Sequence, residues 1–257
     1  MRLVRYRHRG RVRYGDWPPD SDQVVPLTGR FPRLAPSGEP PVPLAQVRLL
    51  APVRPSKVVA IGPGYRALLG DLPPPPRPYL WIKPPNCAIG PEAPIRLPRA
   101  PLPVYHEGEL AIVIGRRARQ VSAREAARCI LGYTCLNDLT AGPLADREAY
   151  RKSLEFVDGK IFDTFAPLGP AVVTEWNDGA ARIRVWVNGE LRQDHPVADR
   201  LWEPAQLVAL ISQRLTLEPG DVIGTGSPPG PGPIRAGDRL QVAIDGIGTL
   251  ANPVLGT

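Results

Sequence analysis

This sequence predicts a mainly β, α+β fold with a small N-terminal β domain, and three observations carry the expectation. Its 257 residues include 34 prolines and 25 glycines without a collagen period, a composition that interrupts long helices and suits short strands joined by rigid turns. Alternating or continuous apolar runs bounded by turn signals recur along the chain, whereas only two segments have helical periodicity. The stretch from Pro32 to Pro55 is proline-rich and lacks periodicity apart from LAQVRLL, which sets a boundary between a small domain at 1–51 and a main body at 52–257. At 43% hydrophobic and 22% charged, a chain of this length can fill its own core.

The opening RLVRYRHRGRVRYGDW alternates basic with apolar or aromatic residues around Arg9-Gly10 and reads as a hairpin, with Arg5, Arg7, Arg9, Arg11 and Arg13 along one face. An arginine ribbon can serve RNA, but arginine dominates the whole chain: among 32 basic residues only Lys57, Lys83, Lys152 and Lys160 are lysine. The formal charge of +7 therefore needs no nucleic-acid partner, and the ribbon reads as a solvated outer face. A retained lysine in such a chain marks a place where a planar guanidinium would not serve.

Beyond the boundary, SKVVAIG reads as a buried strand, GPGYRALLGD as a loop with at most a helical turn, and PPPPRP as a stiff connector. YLWIKP and ELAIVIG are strands, the second covered on both faces. Ser122 to Gly132 is the best helix, with a capping-box pattern at Ser122 and Glu125, an apolar face from AAR and CIL, and Gly132 as its stop. YTCLND is the following strand, IRVWVNGEL turns at Asn188-Gly189, PAQLVALISQRL is the second helix, and the turns LEPGD and IRAGD launch DVIGTG and RLQVAID. Cys87, Cys129 and Cys135 contain no CxxC pair, so buried thiols are expected rather than a disulfide framework or zinc ribbon. No apolar run approaches a membrane span and the first residues lack the apolar segment of a signal peptide, so the expected compartment is the cytoplasm.

Chemistry concentrates in YHEGELAIVIG, because residues i and i+2 of a strand share a face and Glu107 and Glu109 become neighbours. Two carboxylates held that close are costly unless a cation neutralises them or one takes a proton. A hard divalent ion with oxygen ligands, Mg²⁺ or Mn²⁺, resolves the conflict, and Asp138 at the end of YTCLND is the candidate third ligand. Downstream, GKIFDTFAPLGP contributes Lys160 and Asp163, and GDVIGTGSP places Thr225 at a glycine loop. That loop is no dinucleotide fingerprint, since Pro228 and Pro229 would break the required helix; the Thr225 hydroxyl and backbone N–H groups such as that of Gly226 are candidates to hold a ligand carboxylate. There is no GxSxG elbow and no P-loop.

The ordered blocks KVVAIG, IKPP, EGELAIVIG, GYTCLND, GKIFDTFAPLGP, VNGE, LEPGDVIGTGSP and GIGTLANPV resemble the fumarylacetoacetate hydrolase family over roughly residues 56 to 254. The resemblance implies a mixed β-roll preceded by a small β domain, assembly as a homodimer, and a divalent metal on Glu107, Glu109 and Asp138. It also implies Lys160 beside the metal, with Lys83 and Thr225 in the substrate pocket, and small-molecule 2-oxo acids or their enols as substrates. Chelation of such an acid by the ion would stabilise the enolate formed by CO₂ loss, C–C cleavage or a proton shift.

Departures from the family pattern select among these reactions. Hydrolytic members usually carry asparagine, histidine and glutamate where this chain has Gly64, Leu68 and Asp71, and the family as a whole tends to carry arginine and glutamine where it has Gly142 and Ala145. Leu68 transfers no proton, and His8, His106 and His195 lie elsewhere, with His106 expected to point away from its neighbouring glutamates. Tyr65, Arg66 and Asp71 are the candidate lid; Arg147 and Arg151 are candidate replacements for the lost arginine. The first expectation is a metal-dependent decarboxylase or isomerase of a 2-oxo or 2-hydroxy-dienoic dicarboxylate, resembling the 2-hydroxyhepta-2,4-diene-1,7-dioate isomerase and decarboxylase branch. The alternatives are an acylpyruvate or fumarylacetoacetate-type hydrolase and a non-catalytic metal-binding accessory protein.

Overall fold

The structure is a computed structural model that describes residues 1–99, 102–142 and 158–256. It is mostly sheet with few helices, and its main sheet curls into a half-barrel. From one edge the strands run Arg33–Pro36, Gln23–Arg30, Arg11–Asp16, Arg2–His8, Ala166–Val173, Ile130–Asn137, Gly108–Ile114, Val222–Gly224, Val58–Gly62 and Tyr79–Lys83. The N-terminal hairpin turns at Arg9 and Gly10, both at positive φ, as the alternating pattern predicts. Its strands are also continuous with the main sheet, because Arg2 and Leu3 pair with Val173 and Val172. Residues of the N-terminal segment thus help to cover the body that follows.

A second sheet orders Ile95–Arg96, Gly248–Leu255, Arg239–Ile244, Arg182–Val187 and Glu190–Pro196, and Asn188 and Gly189 make its turn at positive φ. Packing between the two sheets buries Leu110, Cys135, Val173, Ile183, Val185, Val242 and Leu250. Farther along the strand, Ile112 and Ile114 pack with Leu207, Val208 and Ile211 of the helix Pro204–Ser212. Ala111 and Val113 join Leu3, Val58, Leu136 and Leu168 in a further cluster. Every residue of Gly108–Ile114 is buried, as the continuous apolar run requires, and each large side chain so buried contributes about 1.5–3 kcal/mol relative to exposure. This strand is the rigid element on which Glu109 stands.

The helix expected over 122–132 is shorter. It spans Ala123–Ala127, with the capping box formed as read: Ser122 Oγ accepts from Glu125 N at 3.3 Å and Glu125 Oε2 accepts from Ser122 N at 2.8 Å. Residues from Ile130 onward belong instead to the strand Ile130–Asn137, paired on both sides. Gly132 is not a helix stop; a Cβ there would lie 2.3 Å from the Val173 carbonyl oxygen, so glycine permits two backbones to approach. The three cysteines are free and buried. Among the described residues, no helix is long and apolar enough to cross a membrane.

Candidate active site

The pairing of Gly108–Ile114 with Ile130–Asn137 brings the acidic residues together. Gly108 lies opposite Asn137, and just beyond that pair Asp138 N donates to Glu107 O at 2.8 Å. Asn137 Oδ1 accepts from Glu107 N at 2.9 Å, which fixes the turn of the chain at the first glutamate. One oxygen from each of Glu107, Glu109 and Asp138 therefore falls within 4.8 Å of the others. Glu109 and Asp138 are buried, while the Glu107 side chain keeps 13% of its surface exposed and forms the accessible edge.

Two lysines enter this cluster. Lys160 Nζ lies 2.9 Å from Glu107 Oε1 and 2.5 Å from Asp138 Oδ2, above the Trp81 ring at 4.8 Å. Lys83, fully buried, contacts Asp138 Oδ1 at 2.9 Å and donates to Leu139 O at 3.0 Å and to Lys160 O at 2.5 Å. An ammonium has three protons, and Lys83 lies within reach of three protein oxygens, which sets it beside the Asp138 carboxylate.

Burial works against the charge on Asp138, but Lys160 and Lys83 outweigh it and hold this carboxyl below its ordinary range. Glu109 has the opposite fate. Burial, reinforced by the negative charges of Asp138 and Glu107, raises it well above an ordinary glutamate, and Lys160 and the Gly226 N–H only partly compensate. Burial likewise lowers Lys83, against the pull of Asp138. With all groups ionised, three carboxylates face two ammonium groups, and neither lysine contacts Glu109 among the described residues. Among the described residues the excess negative charge thus sits on Glu109, where a cation or a proton answers it. A set of three hard carboxylate oxygens fits Mg²⁺ or Mn²⁺.

The glycine loop serves the same carboxylate. Gly226 N donates to Glu109 Oε2 at 3.0 Å, so this N–H is directed at the protein rather than at a ligand carboxylate. Thr225 is buried and its hydroxyl donates to Leu110 O at 2.9 Å, leaving its oxygen lone pairs as the remaining polar function. A Cβ on Gly224 would lie 2.3 Å from Glu109 Oε2. Gly64, where the family pattern has asparagine, is pressed onto this loop so closely that a Cβ would meet Thr225 O at 2.3 Å and Gly226 Cα at 2.6 Å.

Around the cluster, Tyr65 is fully buried while Arg66 and Asp71 are exposed, so the three candidate lid residues divide between interior and surface. Leu68 closes the short 3-10 turn Arg66–Leu68. His106 points away from the glutamates, its Nδ1 3.2 Å from Gln193 Oε1, and burial lowers its imidazole to about 4. His195 Nε2 lies 2.8 Å from Asp199 Oδ2, with its ring edge-on to Tyr65 at 5.4 Å. Asp163 is exposed and hydrogen-bonded to Asn86. Ala145, Arg147, Arg151 and Lys152 lie outside the described residues.

Sequence reasoning missed Thr140, whose Oγ1 donates to Glu107 Oε1 and lies 3.1 Å from Asp138 O. Its signal was available, since it follows Asp138 at the i+2 spacing that singled out the glutamate pair. It also missed Gln193, which accepts from Gly108 N at 3.1 Å and donates to Ser227 Oγ at 3.0 Å, joining the acidic strand to the glycine loop. Nothing local in the sequence announces a contact across 85 residues.

Known proteins resemble this chain in sequence and fold. Residues 57–255 match the family described as fumarylacetoacetate (FAA) hydrolase C-terminal, and residues 1–52 match one described as Rv2993c-like, N-terminal. The solved structure of 5-carboxymethyl-2-hydroxymuconate delta-isomerase from Mycobacterium smegmatis is 41% identical, covers all of both chains and superposes with a TM-score of 0.90. Oxaloacetate tautomerase fahd2, mitochondrial, of Xenopus laevis is 36% identical over 82% of this chain and 69% of its own length. Maleylpyruvate hydrolase from Sphingobium sp. SYK-6, solved in complex with manganese (II) ion and pyruvate, is 30% identical over 100% of this chain and 99% of its own, with a TM-score of 0.80. With the family matched across nearly the whole main body and the acidic strands in register, the chain belongs to the fumarylacetoacetate hydrolase family.

Proposed function

We propose that this chain is a divalent-metal-dependent enzyme that interconverts the keto and enol forms of a 2-oxo dicarboxylate or its 2-hydroxy-dienoic relative, or decarboxylates it. The observation that carries the proposal is the convergence of three carboxylates within 4.8 Å, with no lysine of the described residues against Glu109. Glu107, Glu109 and Asp138 would hold Mg²⁺ or Mn²⁺. When bound, the ion supplies a Lewis acid for a substrate chelating through carboxylate and keto oxygens. Lys160 Nζ, fixed between Glu107 and Asp138, places a cation next to the enolic oxygen and is the candidate group to hold or move the proton. Burial of the surrounding side chains keeps water from competing for that charge.

Isomerisation and decarboxylation need an electron sink rather than an activated water, which matches a loop that has Leu68 in place of an imidazole. Isomerase and tautomerase relatives support the same choice. Hydrolytic C–C cleavage is the second reading, and the His195–Asp199 pair against Tyr65 is the observation that favours it. The test compares oxaloacetate with acetylpyruvate under Mg²⁺, Mn²⁺ and EDTA. Loss of the enol absorbance or release of CO₂ from oxaloacetate should exceed acetylpyruvate cleavage and vanish with EDTA. Faster acetylpyruvate cleavage would overturn the assignment, and no turnover above the metal-only rate would favour an accessory role.

A further inference from the structure

We propose that the Tyr65 hydroxyl is a ligand-facing hydrogen-bond donor, meeting an acceptor oxygen of the bound 2-oxo acid on the Glu109 side of the carboxylate cluster. Tyr65 is fully buried, yet its hydroxyl has no hydrogen-bond partner among the described residues. Buried polar groups in native proteins are nearly always paired, and an exception asks for a reason.

The surroundings of Tyr65 supply one. Its backbone is clamped by the contact of Gly64 with Thr225 and Gly226, by Leu201 N donating to Gly64 O at 2.7 Å, and by a bridge to Arg200. Trp202 Nε1 donates to Pro63 O at 3.0 Å just before it, and the His195 ring abuts its aromatic edge. With its backbone so held and its ring fully buried, the side chain has little room to turn toward a partner elsewhere. The Gly226 of this clamp also holds Glu109 Oε2, so the phenol is fixed relative to the carboxylate that bears the excess charge. Glu109, Arg200 and Asp199 all act on the phenol electrostatically, but Glu109 is not a hydrogen-bond partner. Burial foremost, then Glu109, raises the phenol far above its ordinary range, so it remains protonated and donates. The atom it meets must accept, which suits a carboxylate, keto or enolic oxygen and disfavours an ammonium or amide N–H.

This inference rests on the 2-oxo acid reading above, and the test separates the two. Oxalate is the probe, a planar dianion with the chelating edge of an enolised 2-oxo acid, titrated calorimetrically into Mn²⁺-loaded wild-type protein and Tyr65→Phe. The variant should keep its Mn²⁺ affinity and its unfolding temperature, since the lost hydroxyl has no partner among the described residues, while binding oxalate about tenfold more weakly. Tyr79→Phe, altered at a ring that is 66% exposed, should bind as the wild type does. Equal oxalate affinity in Tyr65→Phe overturns the proposal, and so does a lost Mn²⁺ affinity, which would make Tyr65 a support for Glu109 alone. Failure of wild-type protein to bind Mn²⁺ or oxalate overturns the 2-oxo acid reading itself and this inference with it. If Tyr65→Phe does not fold, tyrosine labelled at ¹³Cζ in Mg²⁺-loaded wild type decides: one of the seven tyrosine resonances should move on adding oxalate, and seven unmoved resonances overturn the proposal.

Discussion

Asp138 and Glu109 carry the same functional group a few ångströms apart, and their neighbours drive them in opposite directions. Asp138 is clasped by Lys83 and Lys160, whereas among the described residues Glu109 receives only the backbone N–H of Gly226. Glu109→Gln should therefore abolish Mn²⁺ binding without unfolding the protein, a result that calorimetry and circular dichroism read together. Unchanged metal affinity would remove Glu109 from the ligand set. Lys83→Met should act on the fold. It strips a fully buried ion pair of one partner and removes the donor to Leu139 O and Lys160 O, at a cost of about 3–5 kcal/mol in urea unfolding; a loss below about 1 kcal/mol would mean that Lys83 does not support Asp138. These lysines were legible because the chain uses lysine so rarely: Lys83 and Lys160 are buried against Asp138, and Lys57 reaches the buried Asp221 at 2.5 Å. What could not be read was the distinction between a lysine facing a ligand and one facing the backbone, which depends on the carbonyls that the fold delivers.

Strand pairing, rather than any single motif, determines where the carboxylates meet. The i, i+2 spacing of Glu107 and Glu109 was readable, but the arrival of Asp138 depends on the Gly108–Asn137 register. Helix and strand were confused at 130–132 because a short apolar run satisfies either period; what decides is hydrogen bonding on both sides by strands distant in sequence. The same ambiguity covered Gly132, whose role can be tested. A helix-stop glycine replaced by alanine would lose about 1 kcal/mol, whereas a Cβ driven against the Val173 carbonyl must push two strands apart. Gly132→Ala should therefore cost at least about 2 kcal/mol in urea unfolding and weaken Mn²⁺ binding through displacement of Asp138. A mild effect with intact metal affinity would show that the strands adapt. Ser122→Ala offers the contrast, since the capping box lies far from the site and its loss should cost about 1 kcal/mol with Mn²⁺ affinity unchanged.

For the whole molecule, the charge imbalance at the site links stability to pH and metal. The mainly β class and the order of elements followed from composition and pattern; the joining of the N-terminal strands to the main sheet did not, because it runs through Arg2 and Leu3 opposite Val173 and Val172, residues that carry no local sign of it. Glu109 titrates higher in the folded chain than unfolded, so its protonated form stabilises the metal-free fold. That contribution is complete below the ordinary glutamate value of 4.5 and is lost as pH rises through the elevated folded value. Metal binding requires the ionised carboxylate, so the ion restores the stability that deprotonation removes. Asp138, held low by its lysines, is already ionised over this interval and adds no slope of its own. The rise in unfolding temperature produced by Mn²⁺ should accordingly grow as pH increases from about 5 to 8 in wild-type protein and be absent in Glu109→Gln. A wild-type shift independent of pH would mean that no proton leaves Glu109 on binding, and the excess charge would then have to be balanced without the ion.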